Sequence, residues 1–354
     1  MADRDFDVVV YGATGFTGSL VAQYLAERSK DASFRWAIAG RTERKLGEGA
    51  GEGGLGDGGA RVVADRSNPN SLAAVAARTR VVLSTVGPYA RYGEPLVAAC
   101  VAEGTDYCDI TGEPEFVDMT RAKYHDAAKA AGVRLVSCCG FDSIPHDFGA
   151  WLCARELPSD QPMKVEGFVR SKGTFSGGTW HSAINAMSRL RETGQRRPPR
   201  EPATDGRRVG GVKAGVHREP RLGCFAVPLP TIDPEVVLRS AATLPEYGPH
   251  FRYGHYARVK KVSTLALGAV GLGAIVIGSQ LAVTRNLLLK VKAPGDGPPL
   301  EERAKSWFEV VFLGESADGT TAKVIVGGAD PGYTETSKMV AGSALCLALD
   351  RDPL

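Results

Sequence analysis

Residues Asp7–Gly18, DVVVYGATGFTG, constrain this chain more than any other stretch. A β-branched apolar run leads straight into Gly12-x-x-Gly15-x-x-Gly18, and helix-favouring residues follow over Phe16–Arg28. Glycine permits the tight turn and lets the main chain approach a pyrophosphate, whose charge then faces the amides of a helix N-terminus. A glycine triplet alone is a weak signal, but a strand before it and a helix after it make it a dinucleotide fingerprint. The alternative is a structural glycine turn that holds no ligand.

The rhythm continues beyond the motif. Apolar runs at Asp7–Tyr11, Arg35–Ala39, Arg61–Ala64, Val81–Ser84, Thr105–Asp109 and Arg134–Ser137 alternate with helix-type segments at Phe16–Arg28, Asn70–Arg78, Gly93–Glu103 and Glu113–Ala131. Parallel neighbours need connections long enough to hold a helix, so six such runs predict an α/β fold with a doubly wound parallel sheet. One connection is unusual: Gly47–Gly59 holds eight glycines in thirteen residues. Each glycine costs about 1 kcal/mol in a helix interior, so this stretch is expected to be a flexible surface insert.

At 354 residues the chain has room for about two domains. Apolar residues at 43% and charged residues at 23% exclude a disordered chain and a multi-span transporter. A net charge of +3 gives no reason to expect a nucleic-acid partner. Seven cysteines, without a C-x-x-C pair, argue against a disulfide framework and against a zinc site, so no metal is expected. The first residues, MADRDFDVVVYG, lack the features of a secretory signal, and no export is expected.

Two later segments stand apart. Arg189–Arg221 carries ten Lys/Arg against four Asp/Glu and is expected to be a long exposed loop, or else a landing site for anionic lipid headgroups or an acidic carrier protein. Val262–Thr284 runs 23 residues without a charge, between Arg258, Lys260 and Lys261 on one side and Arg285, Lys290 and Lys292 on the other. Contact with a membrane surface or an acyl chain, a core helix, and a membrane span are the three readings of that segment.

The second strand selects the cofactor. A site that prefers NAD usually ends this strand in Asp or Glu, which accept from the ribose 2′-hydroxyl, whereas here it ends Ala39-Gly40-Arg41-Thr42. A guanidinium pairs bidentately with a phosphate, and Lys45 adds a point charge, so Arg41 predicts NADP(H). Asp65 ends the third strand, where it could contact adenine or cap the next turn, and Thr85-Val86-Gly87-Pro88 ends the fourth, on the edge where such sheets bind ligands. Reduction by hydride also requires a proton donor. Tyr89 and Tyr92 after the fourth strand, and Asp142 and Ser143 after the sixth, are the candidates, beside Asp106, Tyr107, Asp109 and His146. Adjacent Cys138 and Cys139 have no charge nearby in sequence to activate a thiol and are read as small buried residues.

Taken together, VVVYGATGFTG, IAGR, VVLSTVGPYARYGEPLVAAC, GTDYCDITGE, CGFDSIPHDFG, SGGTWHSAINAM and GADPGYTETSKMVAGSALCLALDRD resemble the saccharopine dehydrogenase-like oxidoreductases, most closely the actinobacterial branch of trans-acting enoyl reductases. The resemblance implies a Rossmann domain, here over residues 1–148, and a second α+β substrate domain over 149–354, whose last helix (about 334–350) packs back on the first. It also implies a cytoplasmic enzyme that uses NADPH to saturate a carbon-carbon double bond in the acyl chain of a polyketide synthase or carrier protein. The apolar segment adds contact with the inner face of the plasma membrane, and a homodimer is a further expectation.

Carried onto this chain, the nucleotide motif falls on Gly12, Thr14, Gly15, Phe16, Thr17 and Gly18, with Arg41 reading the phosphate. His146 stands where the family is expected to write Ser, and the chain ends at Leu354, short of where such relatives end. Two other outcomes stay open: a reductase of C=N or C=O bonds, and a nucleotide-binding, lipid-associated protein without catalysis.

Overall fold

The computed structural model describes residues 4–52, 59–173, 205–291 and 297–350, together with 180, 181, 184, 187, 188 and 203. Every residue of β1 (Phe6–Tyr11) is buried, as a strand covered on both faces requires. Around it lie α1 (Phe16–Arg28), β2 (Trp36–Gly40), α2 (Glu43–Glu52), β3 (Ala60–Val63), α3 (Pro69–Ala77), β4 (Thr79–Ser84), α4 (Tyr89–Tyr92), α5 (Glu94–Ala102), β5 (Asp106–Asp109), α6 (Pro114–Ala131) and β6 (Leu135–Val136). The strands form one parallel sheet in the order β3-β2-β1-β4-β5-β6. Val8 pairs with Trp36 on one side and Val81 on the other. This is the doubly wound order, whose winding direction reverses between β1 and β4, so the crevice for a dinucleotide opens beyond Tyr11 and Ser84.

The second layer begins with α7 (Ile144–Arg155) and continues through β7 (Met163–Lys172), β8 (Arg208–Gly211), β9 (His217–Glu219), β10 (Cys224–Pro228), α8 (Asp233–Thr243) and β11 (His250–Val259). After α9 (Val262–Gln280), α10 (Ala282–Leu289) and α11 (Leu300–Ala304), the chain returns as β12 (Trp307–Ser316), β13 (Thr321–Gly328) and α12 (Thr336–Leu349). Seven strands make a mixed sheet, β13-β12-β7-β11-β10-β9, with β8 beside β11. Its core joins Ala150, Cys153, Val165, Phe251 and Phe312. On α12, Val340, Ala341, Ala344 and Ala348 pack in one core with Val8, Val10 and Leu83, so the last helix covers a face of the first sheet.

Three expectations change. The glycine-rich connection is not wholly an insert, because α2 runs to Glu52 and its buried Leu46 holds it to the sheet. Residues 53–58 of that connection lie outside the described residues. The basic segment 189–221 is not simply a loop: β8 and β9 form in it by pairing with β11 and β10, while 189–202 and 204 lie outside the described residues. The charge-free segment is not a core helix either, because α9 and α10 expose Leu267, Ile277, Leu281, Val283 and Leu287 by 60–75%.

Candidate active site

Gly12 leaves β1 with φ +96°, a region open to glycine and costly for other residues. A β-carbon there would lie 2.6 Å from Val86 Cγ2 and 2.8 Å from Thr85 Oγ1. Gly18 is equally constrained: its β-carbon would fall 2.7 Å from the Gly12 carbonyl carbon. The turn is thus folded onto itself and onto the end of β4, where Thr85 N and Oγ1 donate to Tyr11 O at 3.0 and 3.3 Å. Gly15 is the exposed N-cap of α1. It leaves the first turn of α1 without a capping side chain, the arrangement an anionic pyrophosphate needs.

The motif places Thr14 exposed and Thr17 half-buried. Phe16 does something else. Its ring meets Tyr333 edge-on at 5.1 Å and lies under Arg303, and a β-carbon on Gly297 would run into it. Phe16 therefore ties the glycine turn to the second half of the chain.

Arg41 is exposed at the end of β2. Together with Arg66 it lowers the pKa of Asp65, whose carboxylate is held chiefly by the Ser67 amide at 3.0 Å. Arg41, Asp65 and Tyr11 influence one another electrostatically, so Arg41, expected to read the 2′-phosphate, and Asp65, expected to contact adenine or cap the next turn, share one corner.

The four candidate proton donors separate in the structure. Tyr89 is buried, and its hydroxyl donates to Ser84 O at 3.0 Å. Burial, then the Asp109 carboxylate, raises its pKa well above the ordinary tyrosine value. Tyr92 lies under the Arg66 guanidinium, 3.8 Å from its ring centre. Glu113 grips the turn between them: its two carboxylate oxygens accept from Tyr89 N at 2.9 Å and Ala90 N at 3.0 Å.

Asp142 and Ser143 sit on the turn after β6, whose shape is set by Asp109. The Asp109 carboxylate accepts from Cys138 N at 3.2 Å and Thr111 N at 3.0 Å, while Cys138 takes φ +66°. Phe141 N donates to Thr336 Oγ1 at 3.0 Å, and Ser143 N to Cys138 O at 2.8 Å. Burial, then the Asp233 carboxylate, raises the Asp142 pKa to about 7. Burial raises Asp109 to about 6. Cys138 and Cys139 are free and buried, and burial pushes the Cys138 thiol up.

Behind Asp142 lies a group that sequence patterns did not reveal. His146 Nε2 and His255 Nε2 each lie 3.5 Å from a different oxygen of Asp233, with all three side chains 1% exposed. His255 Nδ1 lies 3.2 Å from Tyr253 Oη. Burial, then His146, lowers His255 to about 4, and the two imidazoles hold Asp233 below its ordinary value although burial opposes ionisation. Ser143 Oγ, His146 Nδ1 and Asp233 Oδ1 have no hydrogen-bond partner among the described residues. The ligand atoms of the three residues lie within 4.8 Å of one another. They form a buried polar cluster next to Asp142, with donor types that also suit a divalent cation.

A glycine turn at the switch point of a doubly wound sheet, with a near-neutral carboxyl on the same edge, defines a dinucleotide-dependent oxidoreductase. Residues 8–136 match the family model of the saccharopine dehydrogenase NADP-binding domain. A Mycobacterium tuberculosis relative bearing the name trans-acting enoyl reductase is 37% identical over 99% of this chain and 90% of its own. A trans-acting enoyl reductase of Mycobacterium bovis is 33% identical over 100% of this chain and 91% of its own. Apo saccharopine dehydrogenase (L-Glu forming) from Saccharomyces cerevisiae shares the fold, with TM-score 0.53 at 14% identity over 97% of this chain and 91% of that one.

The chain belongs to the saccharopine dehydrogenase-like oxidoreductases, on the side of their trans-acting enoyl reductases. It is an oxidoreductase that uses NADP(H).

Proposed function

We propose that the protein reduces the carbon-carbon double bond of an α,β-unsaturated acyl thioester, with NADPH as the reductant. The observation that carries the proton-transfer half of this reading is Asp142, a carboxyl raised to about 7 on the strand-end edge of the NADP-binding sheet. A donor whose pKa lies near the working pH is both protonated and able to release its proton. The names of the full-length relatives support the acyl substrate. The thioester would arrive on a carrier protein or polyketide synthase.

When bound, the cofactor supplies the hydride. The amides after Gly15 and the Arg41 guanidinium would hold its phosphates, Asp65 would border the adenosine, and the Thr85–Pro88 turn would receive the nicotinamide. Asp142 would give its proton to the α-carbon of the substrate, and its carboxylate would regain a proton from solvent. Burial and the neighbouring Asp233 carboxylate favour the protonated form of that carboxyl. Among the predicted donors, Tyr89 is committed to Ser84 O and Tyr92 to the arginine over its ring. Ser143 holds the turn through its amide, which donates to Cys138 O.

The test is a single turnover with NADPH deuterated at the transferred position, offered separately to enoyl thioesters, imines and ketones. Deuterium on the β-carbon of a saturated thioester is the expected product. Turnover confined to imines or ketones would replace the reading with a C=N or C=O reductase, and binding without turnover of any acceptor would refute it.

A further inference from the structure

The apolar segment is a separate device, independent of the reaction assigned above. Among the described residues no single helix is long and apolar enough to cross a membrane. One pair passes by length and composition, Gly271–Gln280 and Ala282–Leu289, with the chain bent by 119° between them. At 1.5 Å per residue the two arms extend about 15 and 12 Å, the depth of one leaflet of an approximately 30 Å hydrocarbon core. The elbow is two-sided. Ser279 is fully buried, and Gln280 Nε2 donates to Met187 O at 2.8 Å. Trp180 Nε1 donates to Leu288 O at 2.6 Å, tying the second arm to the body. The other side carries Ile277, Leu281, Val283 and Leu287, each 60–75% exposed, with Leu267 and Leu272 nearer the base. A set of exposed large apolar side chains on one elbow, on a protein with a full core elsewhere, marks an interaction site.

Charge identifies the occupant. From residue 247 to 295 the sequence has no Asp or Glu and seven Lys/Arg. Lys260 and Lys261 are exposed at the start of α9, and Lys290 at the end of α10. An apolar elbow with a cationic fringe complements a bilayer that is apolar inside and anionic at its headgroups. A second copy of the same chain would bring the same positive fringes together and be repelled.

We propose that the α9–α10 elbow inserts into one leaflet of an anionic membrane, docking the enzyme on its surface without spanning it. Flotation of the full chain with vesicles of phosphatidylglycerol and phosphatidylcholine, against phosphatidylcholine alone, tests this. The expected result is recovery with the anionic vesicles, weakened by raised salt, and reduced by more than about tenfold in an Ile277→Asp/Val283→Asp variant. A Lys260→Gln/Lys261→Gln/Lys290→Gln variant should lose the preference for anionic vesicles. NADPH binding, unchanged in both variants, shows that each is folded. Equal recovery with both vesicle types, no recovery with either, or a sedimenting dimer that Ile277→Asp/Val283→Asp dissociates would each overturn the proposal.

Discussion

Gly15 and Gly18 belong to one motif, but the structure gives them different tasks, and alanine at each separates those tasks. A β-carbon on Gly18 would lie 2.7 Å from the Gly12 carbonyl carbon and 2.8 Å from Thr85 Oγ1. Real β-carbons keep at least 3.0 Å, and the main chain cannot rotate aside as a side chain would. Forcing a methyl into such a site costs about 3 kcal/mol at the upper end of overpacking. Replacing a helical glycine returns about 1 kcal/mol. The net loss of about 2 kcal/mol corresponds to about 4–8 °C in Tm for a domain of this size. On Gly15 the sole close neighbour is Gly12 O at 3.3 Å, so Gly15→Ala should leave the apo Tm within about 2 °C. Its methyl would instead meet the pyrophosphate, and NADPH affinity should fall by at least about tenfold, or 1.4 kcal/mol. Thermal unfolding without cofactor and fluorescence titration with NADPH read the two effects. Equal Tm losses in both variants, or Gly15→Ala binding NADPH normally, would refute this division.

Asp142→Asn should abolish turnover with NADPH binding intact. In the unmodified enzyme kcat/KM should fall about tenfold per pH unit above about 7 as the donor ionises; a flat alkaline limb excludes Asp142 as the acid. Stability gives an independent reading. A carboxyl raised from 3.8 to about 7 binds more protons folded than unfolded in that window, so its contribution is full below pH about 4 and lost as pH rises through about 7. Asp142→Asn should therefore gain stability relative to the parent chain across that window, measured as denaturant midpoints at several pH values. Glu113→Ala leaves the amides of Tyr89 and Ala90 without their carboxylate, a loss of about 2 kcal/mol; an unchanged Tm would show that water replaces it freely.

The first sheet was legible because its signals are local. Strand runs buried on both faces are nearly all apolar, and Gly12, Gly15 and Gly18 lie within one turn and the helix it opens. Asp142 and Ser143 were visible as polar residues after the sixth strand. Their partners were not: Asp233 opens α8 and resembles an ordinary acidic residue in a helix's first turn, and His255 lies within β11. Only the second sheet brings them to His146. Local composition also misjudged β8 and β9, whose Gly- and Arg-rich residues form strands because β11 and β10 offer them edges. The 23-residue charge-free run suggested one continuous segment, whereas the chain breaks at Leu281 between two helices.

The central claim is an NADP(H) site built on the glycine turn and read by Arg41. Titrating the protein with NADPH and NADH in matched buffers, then repeating both with Arg41→Ala, tests it most directly. A charge-assisted guanidinium–phosphate pair predicts at least about a tenfold preference for NADPH, lost in the variant while NADH binding persists. An NADPH/NADH affinity ratio that Arg41→Ala leaves unchanged would contradict the account.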